Sequence, residues 1–454
     1  MMRVPVSLPA WSPPLSPASP ISLRHALAGV LILAGLLFQV MRLAGLPVAL
    51  GAVSLSLWLG VALLWRDLGR RNRLQAGALA GTGLALLLAA TLFLDADIAW
   101  QGILDGNSYV VAMLVGVSFI TLIGTRQGHR APPGSAVTGT RGTGGTWLGV
   151  HLLGAVLNLS TVFMVGDRLR RHGELSLPQL LALNRGLSSA ALWSPFFASM
   201  GVVMTLAPEM HYGSVLAIGL PLGLVAGAIS LLDLSKRFTL DEVAGYSLSP
   251  GSLMMPLSMA ALVLLFHYAL TPSLTIVSII TFLLPAAALA SNLPRGARWT
   301  LRRVRGHTLE RLPAMRGEIS LFLCAGLLTQ GLSAFIDAAT GSQWTLFAHF
   351  GAPQAAASFL AIVASAVAGL HPIIGVSVLA SMLELPGSRQ TLFAFVALAA
   401  WAVGTSVGPL SGINLSLQGR YGVSGGVMMR HNLGYAAALS ALVVGAIILL
   451  DAWL

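Results

Sequence analysis

The sequence predicts an all-α polytopic membrane protein with about 11 transmembrane helices in two inverted repeats, each with a re-entrant hairpin and a broken helix. Three observations lead there. First, 56% of the 454 residues are hydrophobic and only 9% are charged, and the mean hydropathy is +0.82. A soluble protein carries roughly a quarter charged residues, so this chain cannot coat a soluble globule. Second, apolar runs long enough to cross a bilayer recur along almost the whole chain. Third, prolines and small polar residues interrupt two of these runs at matching places. Composition thus excludes a soluble enzyme, a nucleic-acid-binding module and a disordered chain, although the net charge is +11 and the pI near 11.1.

Residues 1–24 are rich in Pro and Ser, lack the marks of a signal peptide and read as a disordered cytoplasmic tail. An extra first span fills 25–43. Further spans are expected near 47–64, 74–94, 107–125, 178–208, 213–233, 252–270, 273–293, 318–338, 391–418 and 432–453. The apolar stretches 145–166 and 355–383 read differently, because of charge. Basic residues mark the cytoplasmic side, and both 125–144 (Arg126, Arg130, Arg141) and the loop with Arg168, Arg170 and Arg171 belong there. Two basic loops flanking one apolar stretch share a side only if that stretch enters and returns. Treating both stretches as re-entrant hairpins puts 23 of the 26 basic residues inside, leaving Arg42 and Arg389 outside and Arg185 within a span. Seven carboxylates then face out: Asp95, Asp97, Asp105, Glu209, Asp337, Glu384 and Asp451. The N-terminus falls in the cytoplasm and the C-terminus in the periplasm of a bacterial inner membrane. The single Cys324 leaves no disulfide framework and no Cys-based metal site.

The order of three spans, a hairpin, a broken span and a final span occurs twice. Five spans separate corresponding elements, so the second copy is inverted. The expected division is repeat 1 at 44–235, a cytoplasmic linker at 236–251 and repeat 2 at 252–454. Inverted repeats with discontinuous helices are an architecture of secondary transporters, whose sites lie near the midplane.

The breaks carry the candidate chemistry. Ser194-Pro195, with Ser199 following, sits 214 residues before Gly408-Pro409, which lies among Thr405, Ser406, Ser411 and Asn414. Proline removes an amide donor and opens the helix. In lipid the freed groups need a neighbour or a polar cavity. Opened carbonyls can bind a cation, and the new helix start can offer amides to an anion. Packed proline kinks are the alternative. The hairpin tips supply the other wall: Asn158, Ser160 and Thr161 in the first, and His371-Pro372 in the second. Asn158 and Ser160 could equally be interhelical glue, and His371 a satisfied turn residue. Arg185 is a candidate for attracting an anion, with snorkelling to the surface as the alternative. His151 and His267 read as interfacial.

Eleven spans with two hairpins, each followed by a broken helix, resemble the ion transporter superfamily, which includes divalent anion–sodium symporters and arsenite efflux pumps. In the symporters a Ser-Asn-Thr triplet at each hairpin tip contacts substrate carboxylate and sodium. Here Asn158-Leu159-Ser160-Thr161 keeps those residue types in another order, and Leu370-His371-Pro372 lacks them, with Thr405-Ser406 nearby. The expected activity is secondary transport of a small anionic solute, an organic carboxylate or oxyanion, driven by sodium or protons. An efflux permease for metalloids or other ions and an integral membrane transferase using His371 as base are the alternatives. Sodium is the one ion expected at the site. The expected partners are the solute, the bilayer and a second copy of the chain, with no nucleic acid and no catalytic residues.

Overall fold

The computed structural model describes residues 22–123, 137–171, 173–248, 250–341 and 344–454. Apart from its last three residues, the Pro/Ser-rich tail lies outside the described residues. Those three are helical or capping: Ser22 Oγ accepts the His25 amide and starts α1 at Leu23–Leu43. Then come α2 (Leu50–Leu64), α3 (Arg70–Phe93) and α4 (Ser108–Ser118), the last flanked by single 3-10 turns that extend the apolar span to 102–122.

The predicted first hairpin is two helices, α5 (Gly139–Leu157) and α6 (Ser160–Arg170), turning at Asn158, whose φ is +53°. The predicted broken span is α7 (Leu177–Ala190) and α8 (Ala198–Leu206), interrupted around Pro195. Ser176 and Gln179 form a capping box before α7, and Pro178 stands in its first turn, where proline is tolerated. One long helix, α9 (Tyr212–Arg237), follows. After α10 (Pro250–Leu265) and α11 (Ile276–Asn292), the basic segment between the spans expected near 273–293 and 318–338 folds into α12 (Ala297–Gly306), a π-turn at His307–Arg311 and the short α13 (Leu312–Ala314).

The second half adds α14 (Arg316–Thr340) and then repeats the pattern. A hairpin of α15 (Ala352–Val367) and α16 (Pro372–Ser381) precedes a broken pair, α17 (Arg389–Val407) and α18 (Gly412–Tyr421), and one long helix, α19 (Gly425–Trp453). Among the described residues, nine helical stretches are long and apolar enough to cross a membrane. Two shorter ones, the broken α7–α8 and α10 with its π-turn, occupy the other two predicted spans. The chain is an all-α polytopic membrane protein.

The broken helices form the core. The stretch from α17 to α18 is the most enclosed of the spans, with its apolar window wholly buried, whereas α3 buries only 28% of its window. Around α17 pack α7, α8, α9, α15, α16 and α19. Helices α3 and α14 meet backbone to backbone: a Cβ on Gly331 would lie 2.2 Å from the Gly83 carbonyl oxygen. Such small-residue seams let membrane helices approach closely where no hydrophobic force between them does so. Three ion pairs, Arg24–Asp67, Arg389–Asp451 and Arg420–Asp167, tie residues far apart in the chain.

Candidate functional site

Both breaks are legible in their local chemistry. In the first, Pro195 ends the ladder, and Ser194 Oγ donates to the Ala155 carbonyl of hairpin α5–α6 while accepting the Phe196 amide at 3.2 Å. Asn158 Nδ2, at the tip, donates to the Phe196 carbonyl at 3.0 Å. Hairpin tip and break are therefore stitched together by the side chains of Asn158 and Ser194. Pro195 itself is buried between them.

In the second break α17 ends at Val407, and Ser411 caps α18 by accepting the Asn414 amide at 3.3 Å. Asn414 Nδ2 donates to the carbonyls of Gly408 at 2.9 Å and Ser406 at 3.3 Å. Asn432 Nδ2, from α19, donates to the Ser406 carbonyl at 2.7 Å. Those carbonyls, the ones the sequence offered to a cation, are already hydrogen-bonded to side chains. Proline at 409 is half-buried beside them. The hydroxyls of Thr405 and Ser406 donate to carbonyls of their own helix, Trp401 at 2.8 Å and Val403 at 2.7 Å. His371 caps α16, its Nδ1 accepting the Ile373 amide at 3.2 Å, and its ring meets Trp401 edge-on at 5.2 Å.

Arg185 is neither at the surface nor at a hairpin tip. It is 0% exposed and committed inside the protein. Its Nε donates to Asn432 Oδ1 at 2.8 Å, and its Nη2 to Asp233 at 2.8 Å and the His431 carbonyl at 2.9 Å. The Tyr435 ring lies 4.6 Å beneath the guanidinium. Snorkelling is overturned, because α9 and α19 bring a carboxylate and an amide to the charge where it stands. Beside it, Asn184 Nδ2 donates to Asn414 Oδ1 at 2.8 Å, and Asn432 Nδ2 also reaches Asn184 Oδ1 at 3.3 Å. This network ties the first broken helix to the second through Asn184 and Asn432, neither of which the sequence reading singled out. Their signal was there: two adjacent polar residues, Asn184 and Arg185, inside an apolar run.

His151 is likewise corrected. It is 0% exposed, stacked on Trp147 at 4.7 Å, bonded to Ser189 Oγ at 2.9 Å and accepting Trp193 Nε1 at 3.1 Å. Helix α5 faces α7 and not the membrane surface, so the polar ring finds its partners there.

Hydroxyls without partners remain. Thr161 and Ser199 are 0% exposed and Ser377 1% exposed, and none of the three Oγ atoms has a hydrogen-bond partner. Thr161 starts the return arm of hairpin α5–α6, Ser377 lies on the return arm of hairpin α15–α16, and Ser199 lies on α8, which packs against α16 and α17. Ser160 is turned elsewhere, its Oγ accepting from Arg311 at 2.6 Å. An open cleft of about 620 Å³ lies away from these residues, lined by Asp95, Asp97, Gln330 and Asp337.

No family model matches the chain, and no curated protein matches it. Among solved structures, the chain is similar to the YdaH transporter of Alcanivorax borkumensis, a crystal structure described as having an unusual topology. The two share 15% identity over 84% of this chain and 98% of that one, with a TM-score of 0.49.

Proposed function

We propose that the protein is a secondary transporter of a small anionic solute, a carboxylate or an oxyanion, coupled to sodium or protons and set in a bacterial inner membrane. One observation carries this reading: a helical hairpin followed by an interrupted helix and one long helix, built twice from different sequence. Interrupted helices at membrane depth are tolerated where protein or a water-filled path satisfies the exposed backbone, and paired ones are a hallmark of transport folds. The fully buried, unpartnered hydroxyls of Thr161, Ser199 and Ser377 support it, since buried polar atoms ordinarily find partners. A solute or ion that reached them would complete their hydrogen bonding. The two halves, 44–235 and 252–454, are read as inverted copies, and the architecture resembles the ion transporter superfamily.

The motion expected is an elevator-like shift of hairpins and broken helices against the α3–α14 seam. Proteoliposomes test the reading. Radiolabelled succinate, sulfate and phosphate should accumulate when a sodium or proton gradient is imposed, and not without one. Arsenite flux with none of these anions would favour the metalloid permease. Absence of gradient-dependent flux of any of them would overturn the anion reading.

A further inference from the structure

Arg311 closes the π-turn between α12 and α13 and reaches across to the start of α6, where its Nη2 donates to Ser160 Oγ at 2.6 Å. Among the described residues this is its one hydrogen bond, although a guanidinium carries five donors. Its Nε is buried with no acceptor. The arginines at 24, 185, 237, 389 and 420 all pair with carboxylates, but no carboxylate lies within ion-pair distance of Arg311 among the described residues. Glu318 is within electrostatic reach without bonding to it. Next to Ser160, the Thr161 hydroxyl is 0% exposed and also without a partner.

A charge drawn into protein is costly unless it is paired, and a buried donor without an acceptor is rare. Here a half-buried cation with an orphaned N–H meets the first turn of an 11-residue helix, whose positive end also favours an anion and whose second residue, Thr161, carries an orphaned hydroxyl. The guanidinium fork matches the paired oxygens of carboxylates and tetrahedral oxyanions. We propose that Arg311, Ser160 and Thr161 form the site that recognises the anionic group of the solute. The proposal rests on the anion-transport reading and deepens it: the segment 297–314 is part of the binding machinery and not merely a basic loop that orients the chain.

Equilibrium binding of radiolabelled succinate, sulfate and phosphate to the purified full-length protein at constant ionic strength tests it, and separates an organic acid from an inorganic oxyanion. The wild-type protein should bind at least one probe. Arg311→Gln should weaken that binding about 30-fold or more, and Arg311→Lys, which keeps the charge without the fork, about 10-fold. Ser160→Ala and Thr161→Val should each cost about 5- to 20-fold; with Arg311→Lys they keep the test open if Arg311→Gln fails to fold. Binding within threefold of wild type in Arg311→Gln, or in both Ser160→Ala and Thr161→Val, would overturn the site and leave the transport reading standing. Wild-type protein that binds none of the three probes also overturns the site, and vesicle flux then decides separately whether the transport reading falls with it.

Discussion

The two hairpin-and-break units occupy matching places in the chain but differ in chemistry. Around the second break, the carbonyls of Ser406 and Gly408 are taken by Asn414 and Asn432, and Asn414 is held in turn by Asn184 from the other half. In the first unit, Thr161 and Ser199 have no partner, and the Arg311 beside its hairpin has no carboxylate within ion-pair distance among the described residues. The carbonyls of the second break are held by side chains, leaving Ser377 of its hairpin unpartnered, whereas the first unit leaves two buried hydroxyls unpartnered. The same order of elements therefore does not carry the same side-chain chemistry: the second break is clamped by a pair of asparagines, and the first is not.

The comparison can be broken at the clamp first. Arg185→Met leaves Asn432 Oδ1 without its donor and Asp233 with only Arg237, and should cost about 3–5 kcal/mol, read as a large fall in thermal midpoint and in monodisperse yield. Asn414→Ala takes the acceptor from the Asn184 amide and one donor each from the Ser406 and Gly408 carbonyls, for about 1–3 kcal/mol in the same measurement. A neutral outcome for Asn414→Ala would mean that the second break is not a clamp.

Acid should strain the segment that delivers Arg311. His307 is 5% exposed and bonds Ser118 Oγ at 2.9 Å, and burial, with Arg311 nearby, pushes its imidazole down to about 4. The unfolded chain binds a proton near pH 6.5 and the folded one does not until about pH 4, so the unfolded state holds more protons in that window. This group's contribution is complete above pH 6.5 and is lost as pH falls, at about 1.4 kcal/mol per unit, until the folded group protonates. Thermal midpoints between pH 7 and 4.5 should fall less steeply in His307→Gln than in the wild type.

Smaller effects separate a tip that is merely packed from one that binds. Asn158 combines a φ of +53° with its bond to Phe196, so Asn158→Gly should be about 1 kcal/mol less destabilising than Asn158→Ala. Smallest of all, Ser199→Ala and Thr161→Val should leave stability within about 0.5 kcal/mol, because neither hydroxyl is bonded, yet lower solute flux. Ser230→Ala, which removes an equally buried and unpartnered hydroxyl away from the tips, is the matched control and should change neither.

Much of the fold could be read from the chain because its determinants are local. Bilayer thickness sets the length of an apolar run, and proline sets where a helix stops, so the breaks at Pro195 and Pro409 and the tips near Asn158 and His371 were visible. Partners were not. Arg185 meets Asp233 across 48 residues and Asn432 across 247, and Ser160 meets Arg311 across 151. Such pairings depend on how helices rotate against each other, which apolar periodicity leaves open in spans that are hydrophobic nearly all round. Counting charges also treated Arg311 as just one of the 23 basic residues placed inside, although His307, Leu312 and Pro313 beside it are buried.

The Arg185 network has a consequence for how the chain is made. Synthesis delivers α7 to the membrane well before α19, so the guanidinium enters the bilayer long before Asn432 and Tyr435 exist. Asp233 arrives first, at the end of α9, and can hold the charge within the first half alone. The last helix then completes a contact begun some 247 residues earlier. A chain truncated before α19 keeps a buried cation without Asn432, the His431 carbonyl and the Tyr435 ring. Full-length insertion is thus written into the core as a late, polar checkpoint.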